Sequence, residues 1–240
     1  MKIIADMHTH TIASTHAFST VTENAKAASE AGIKYLGTTE HGIEMPDSPH
    51  LWCFYSMRNI PRQLFGVNML RGMEANIINY EGSIDIYEKE IYSCLDWIVA
   101  SYHHPCCMPG TKSQHTNSYI KALENPYIDC IGHSEDPDYD YEFRPVCEAA
   151  KANDKAIELN ASRLRGKRAQ ERYREILTVC AEVGTKICVN SDAHFWDRIG
   201  NFGQATAFLE EMDFPEELVL NASEERFLAH LSSHRGNPFE

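Results

Sequence analysis

The stretch "ADMHTHTIASTH", Ala5 to His16, places His8, His10 and His16 close together just after an apolar run. Residues two apart on an extended strand face the same way, so His8 and His10 can offer their imidazoles to one ion. Asp192-x-His194 in "NSDAH" repeats that geometry far along the chain. Between them stand His41 in "TTEH", Glu74 in "RGMEAN", His103 and His104 in "SYHHP", and His133 in "GHSEDP". Imidazole with a few carboxylates and no thiolate suits Zn, Mn or Fe, rather than a Cys-rich structural zinc or an all-oxygen Ca or Mg site. His8, His10, His16, His41, Glu74, His103, His133, Asp192 and His194 make nine donors, too many for one tetrahedral or octahedral centre. Two or three ions are implied, with a carboxylate such as Glu74 able to bridge a pair.

Taken singly, a histidine at a strand end is more often a hydrogen-bonded surface or core residue than a ligand. The set gains meaning from the elements that must hold it. Seven short apolar runs, "KIIADMH", "YLGTTEH", "NMLRGMEAN", "DWIVASYHH", "IDCIGHSE", "KAIELNAS" and "KICVNSDAH", read as strands. Each ends in a donor, the sixth in Asn160. Amphipathic segments between them predict helices over Glu23 to Ala31, Pro49 to Gln63, Tyr87 to Cys94, Thr116 to Glu124, Pro145 to Asn153, Arg168 to Val183, Phe202 to Glu211 and Ser223 to Leu231. Thr20 with Glu23 forms a capping-box pattern before the first, and Ser223 is the expected N-cap of the last. "YEGSIDIY" suggests a small hairpin, and "SSHRGNPFE" a frayed tail.

Strands alternating with helices predict an α/β fold with a parallel sheet. Seven such units in one domain, residues 1–240, suggest a closed or nearly closed barrel, with an open doubly wound sheet as the second choice. Closure would bring every strand end around one mouth, where unpaired histidines and carboxylates have little structural purpose.

The chain has 240 residues, 43% of them hydrophobic and 24% charged, ordinary for a soluble domain. A net charge of −13 argues against a nucleic-acid surface, which needs clustered Lys and Arg. No run approaches a membrane span, and the N-terminus turns polar too soon for a signal peptide, so a cytoplasmic location is expected. The eight cysteines lack framework spacing and read as reduced core residues, with Cys106-Cys107 in a loop as the exception.

In order and spacing, "HTH" with His16, "TTEH", "RGMEAN", "SYH", "GHSEDP" and "NSDAH" resemble the signature of the PHP (polymerase and histidinol phosphatase) metal hydrolases. The likeness is nearer to the YcdX-type phosphatase branch, as in "ASTHAFST", "PHLWCF", "GVNMLRGMEANI" and "MDFPEELVLN", and spans almost the whole chain. It implies a distorted (β/α)7 barrel, three divalent metal ions, often zinc, and phosphoester hydrolysis. Carried over by position, it assigns one ion to His8, His10, Glu74 and Asp192, a second to Glu74, His103 and His133, and a third to His16, His41 and His194. The branch shows an acidic residue where His104 stands, which leaves His104 to face solvent or touch substrate.

Three dications against the charges of Glu74 and Asp192 would make a cationic pocket suited to a phosphate monoester dianion. The expected reaction is in-line attack by a metal-bound hydroxide without a covalent phosphoenzyme, with Glu74, Asp192 and His194 as the catalytic core. Arg163, Arg62 and His104 are the candidate substrate-binding residues, Arg163 foremost, and Trp52 and Phe54 candidate pocket walls. Glu40 is expected to point away from the site, and His50, His115, His230 and His234 to be dispensable. The expected substrate is a small phosphorylated metabolite. Competing readings are phosphodiester cleavage of nucleic acid, a non-catalytic metal-binding scaffold, and an amidohydrolase, whose first barrel strand also carries HxH.

Overall fold

In the computed structural model, which describes residues 1–236 and 238–239, the seven apolar runs lie side by side as parallel strands. They are β1 (Ala5–Asp6), β2 (Tyr35–His41), β4 (Val67–Asn76), β5 (Trp97–Ser101), β6 (Cys130–Ile131), β7 (Ala156–Asn160) and β8 (Lys186–Asn190). They pair in the order β1-β2-β4-β5-β6-β7-β8, and the short β3 (Gln63–Leu64) adds an antiparallel flank to β4. Register carries the donors to one level: His41 of β2 stands opposite Glu74 of β4.

The sheet curves into a nearly closed barrel, and the seam between β1 and β8 is made largely by side chains. Beyond the named strands, Thr9 bridges to Ala193, and His10 N donates to Ala193 O at 2.9 Å. Deeper in, the buried Asn221 amide stands in for a strand, its Nδ2 donating to Ala5 O (2.7 Å) and Val189 O (2.6 Å) while its Oδ1 accepts from Val189 N (3.0 Å). Asp6 Oδ1 accepts from Ser191 N at 3.0 Å nearer the mouth. An open edge would leave these backbone groups unpaired.

Around the barrel run α1 (Val21–Glu30), α2 (Trp52–Ser56), α3 (Lys89–Tyr92), α4 (Lys112–Leu123), α5 (Phe143–Ala152), α6 (Lys167–Val183), α7 (Gly203–Glu211) and α8 (Glu224–Arg235). The Thr20/Glu23 capping box is present at α1, and Ser223 caps α8 by accepting from Arg226 N. α8 lies across the N-terminal end of the barrel, where Phe227 and Leu231 pack against the interior cluster that includes Ala5, Met7, Leu70 and Trp97. Among the described residues no helix is long and apolar enough to cross a membrane.

Several boundaries differ from expectation. The helix expected over Pro49 to Gln63 shrinks to α2 and a 3₁₀ turn at Met57–Asn59, because Ile60 precedes Pro61 and is driven to extended backbone. The segment from Tyr87 to Cys94 is helical only at Lys89–Tyr92. α4 begins at Lys112, four residues earlier than Thr116, under a second capping box formed by Thr111 and Gln114. The expected hairpin reduces to one antiparallel bridge between Ile77 and Ile84. The tail is helical as far as Arg235, whose guanidinium binds Asp129; of the expected frayed residues, Asn237 and Glu240 lie outside the described residues. All eight cysteines are free thiols.

Candidate metal centre at the barrel mouth

The C-terminal strand ends converge on Glu74. Its carboxylate is buried, with Oε1 at 2.9 Å from His133 Nε2 and 3.4 Å from His103 Nε2. Oε2 lies 2.9 Å from His41 Nδ1, 3.3 Å from His8 Nε2 and 3.4 Å from His10 Nε2. Asp192 Oδ1 faces His10 Nε2 at 3.4 Å, His194 Nδ1 at 3.5 Å and His8 Nε2 at 3.7 Å. The His16 ring stacks at 4.5 Å from that of His194 and 4.9 Å from that of His41. All nine donors singled out above thus share one mouth.

These contacts suit coordination better than hydrogen bonding. Donors about 2.0–2.1 Å from a tetrahedral ion stand about 3.3–3.4 Å apart. Among the described residues, His8 Nε2, Glu74 Oε2 and both ring nitrogens of His10 and of His41 are buried without an aligned hydrogen-bond partner. Such orphans are rare in native interiors because each forfeits its hydration. The compact sets His8/His10/Glu74, His41/Glu74/His103 and His10/His41/His194 could each hold an ion. The donor set therefore fits divalent metals of the zinc type.

Electrostatics divide the donors. Burial opposes charge on His8, but the carboxylates of Glu158, Glu74 and Asp192 outweigh it and hold its pKa well above the usual histidine value. Burial and the neighbouring His41 push His10 well below that value. Burial raises Glu74, yet His8, His103 and His41 overcome this and hold it well below the carboxylate range. Glu74 thus stays ionised and His10 neutral, as metal ligands must be, whereas His8, facing three carboxylates, holds a proton that a bound cation would have to displace.

Two mouth residues adopt left-handed backbone: His133 at φ 24° and Asp192 at φ 53°. Such conformations cost on the order of 1–3 kcal/mol in non-glycine residues and cluster at functional sites. The surrounding hydrogen bonds hold them there: His133 N donates to Glu158 Oε2 at 2.7 Å, and Asn160 Nδ2 to Asp192 Oδ2 at 3.1 Å.

Sequence reasoning missed the residues that orient the donors. The buried Glu158 places Oε1 2.8 Å from His8 Nδ1, and Asn76 Oδ1 lies 2.7 Å from His103 Nδ1. Asp85 holds Asn76 in turn, accepting from its backbone N (2.8 Å) and Nδ2 (2.6 Å). Gly42 makes room for Asp85, since a Cβ there would sit 2.4 Å from its carboxylate oxygens. Asp47 binds His16 Nδ1 directly. A signal existed for two of them: Asn76 follows Glu74 by two and Glu158 precedes Asn160 by two, on the same strand face. Glu40 points away, as expected, and pins the loop after β1 by accepting from Thr11 Oγ1 (2.6 Å) and Ser14 Oγ (2.7 Å).

The candidate substrate-binding residues divide. Arg163 is half-exposed, with Nε 3.8 Å from Glu135 Oε1, and its charge is felt by Asp192 and His133. His104 is exposed and pairs with Asp138 at 3.1 Å. Arg62 is a correction: its Nη2 donates to Asp96 Oδ1 at 3.1 Å, just before β5 begins, so it belongs to the opposite end of the barrel. The β3 flank carries it there in place of the expected helix. Trp52 is largely exposed and Phe54 fully buried, so Phe54 packs in the core instead of lining a pocket.

No protein-family model matches the chain. A protein of Clostridium novyi described as a probable phosphatase is 42% identical over 235 residues, covering 97% of this chain and 96% of that one. The chain belongs to this family of probable phosphatases. A second such phosphatase, from Acetivibrio thermocellus, is 44% identical over 228 residues, covering 95% and 94% of the two chains. Among solved structures, histidinol phosphate phosphatase from Lactococcus lactis, complexed with Zn, L-histidinol and phosphate, matches with a TM-score of 0.68 at 17% identity, over 90% of this chain and 95% of that one. At that identity the match establishes the fold, the distorted PHP barrel, and this phosphatase carries its buried histidines at the mouth of that barrel.

Proposed function

We propose that this phosphatase hydrolyses small phosphate monoesters at a centre of three divalent ions, zinc first, with Mn or Fe as alternatives. The observation that carries the reading is the convergence of nine donors on one mouth, with six of their buried polar atoms lacking hydrogen-bond partners. His8, His10, Glu74 and Asp192 would hold one ion, Glu74, His103 and His133 a second, and His16, His41 and His194 the third. Bound there, the ions would supply Lewis-acid charge for the phosphate oxygens and for activating water.

The chain's own groups do the rest. Glu158 and Asn76 fix the rings of His8 and His103, so each presents Nε2 to the mouth. Arg163, steered by Glu135, would meet the phosphate as it enters, and His104 would lie at the rim beside Asp138. Likeness to the YcdX-type branch and the acidic overall charge favour a small cytoplasmic metabolite over nucleic acid, handled by one domain spanning residues 1–240.

A panel of phosphomonoesters, phosphodiesters and amides, assayed with Zn, Mn and Fe in turn and with a chelator, tests this. Monoester turnover abolished by the chelator is expected. Preferential diester or amide turnover, or none with any metal, would overturn it.

A further inference from the structure

The opposite end of the barrel carries a second cluster of metal-ligand type, outside the mouth. His230 and His234 are four apart on α8 and so share a helix face, with ring centroids 4.1 Å apart. Their edges meet Asp129, which stands just before β6 at the barrel floor. Asp129 Oδ1 lies 3.6 Å from His230 Nε2 and 3.4 Å from His234 Nδ1. These are the spacings of donors around one ion, and a histidine pair at this helical spacing with a third donor from elsewhere is a common zinc arrangement.

A structural ion pair alone would leave fewer loose ends. The side chains of Asp129 and His230 are fully buried, and that of His234 is 7% exposed. Among the described residues, Asp129 Oδ1 and both ring nitrogens of His230 nonetheless have no hydrogen-bond partner. The other oxygen is already committed: Asp129 Oδ2 accepts from Ile98 N (2.7 Å) and from Arg235 (2.5 Å). The carboxylate is therefore held so that its free oxygen faces the two imidazoles. A cleft of about 360 Å³, lined by Glu124, Asp154, Lys155 and His234 among others, opens His234 to solvent.

The geometry points to a structural divalent-cation site of zinc type at the barrel floor, formed by Asp129 Oδ1, His230 Nε2 and His234 Nδ1 and fastening α8 beneath the barrel. One neighbour opposes it. Lys155 Nζ lies 3.0 Å from His234 Nδ1 and 3.0 Å from Pro126 O, so ammonium and ion compete for one nitrogen while the carbonyl keeps the lysine. Asp154, within 3.9 Å of the outer ring nitrogens, offsets part of the added positive charge.

The test uses the full chain purified from metal-replete medium with no metal added. Anomalous diffraction at the Zn, Fe and Mn edges is expected to show a peak bonded to Asp129, His230 and His234, separate from any at the mouth. Elemental analysis of His234→Gln should find one ion fewer per chain, with monoester turnover within about twofold of wild type. Lys155→Met removes the competitor, and about tenfold more chelator should then be needed to strip the floor ion. No floor peak in crystals whose mouth is occupied, or equal metal content in wild type and His234→Gln, overturns the site. Should His234→Gln fail to fold, the wild-type diffraction decides alone.

Discussion

The two ends of the barrel both gather histidines around a buried carboxylate, yet they are built on different terms. At the mouth, Glu74 faces five imidazoles, and among the described residues no lysine or arginine pairs with it directly. At the floor, Asp129 is tied to Arg235 and to the Ile98 amide, and α8 buries Phe227 and Leu231 beside it. Uncompensated polar groups destabilise a fold, and they persist where function demands them. The mouth is thus held ready by its neighbours, whereas the floor contributes to holding the chain together.

Substitutions can break that contrast, and the largest effect is expected at the mouth. Glu74→Gln should lower monoester turnover by about 10²–10³ or more, the scale for losing a preorganised charge partner. It should also release two ions together by elemental analysis; loss of one alone would show that Glu74 is not shared. Glu158→Gln, which leaves every donor in place, should weaken metal affinity about 10–100-fold in a chelator competition, the range for partners that orient a ligating histidine. At the floor, Phe227→Ala should cost about 3–5 kcal/mol in urea unfolding while kcat stays near wild type. Parallel loss of kcat would mean the two ends are not separable.

Lys155 sharpens the comparison through pH. Burial pulls its pKa down to about 8 in the folded protein, below that of a free lysine. The folded chain therefore binds that proton less tightly than the unfolded chain, and stability from this group is present above about pH 10.4 and lost as pH falls through 8. In chelator-treated protein, wild type should gain on the order of 1–2 kcal/mol relative to Lys155→Met across that window, after discounting for solvent screening. A flat difference would show that Lys155 is not desolvated. The smallest effect is expected at exposed His50, where His50→Ala should leave turnover within about twofold.

Much of the mouth was legible because parallel strands expose their chemistry in a short-range code. His8 and His10, and Asp192 and His194, are two apart, and each apolar run ended in a donor. The orienting residues were less legible: Asp85 acts only through Asn76, and Asp47 meets His16 across a loop. Arg62 was misplaced because Pro61 breaks the expected helix and β3 turns the chain toward the floor. His115, expected to be dispensable, is buried, with Nε2 accepting from Gly110 N at 2.7 Å and Nδ1 lying 2.8 Å from Asp140 O. The floor cluster is not legible in the sequence, since the His230/His234 pair is unremarkable until a carboxylate about a hundred residues earlier is brought against it.

From the sequence alone came the seven parallel strands, the α/β arrangement and the nine donors, because alternation and apolar runs are local consequences of backbone geometry. Tertiary structure alone decided that Asn221 closes the seam, that Glu158 and Asn76 aim the imidazoles, and that α8 carries two histidines to Asp129. Those contacts join residues far apart in the chain, and only the closure of the barrel sets the distances between them.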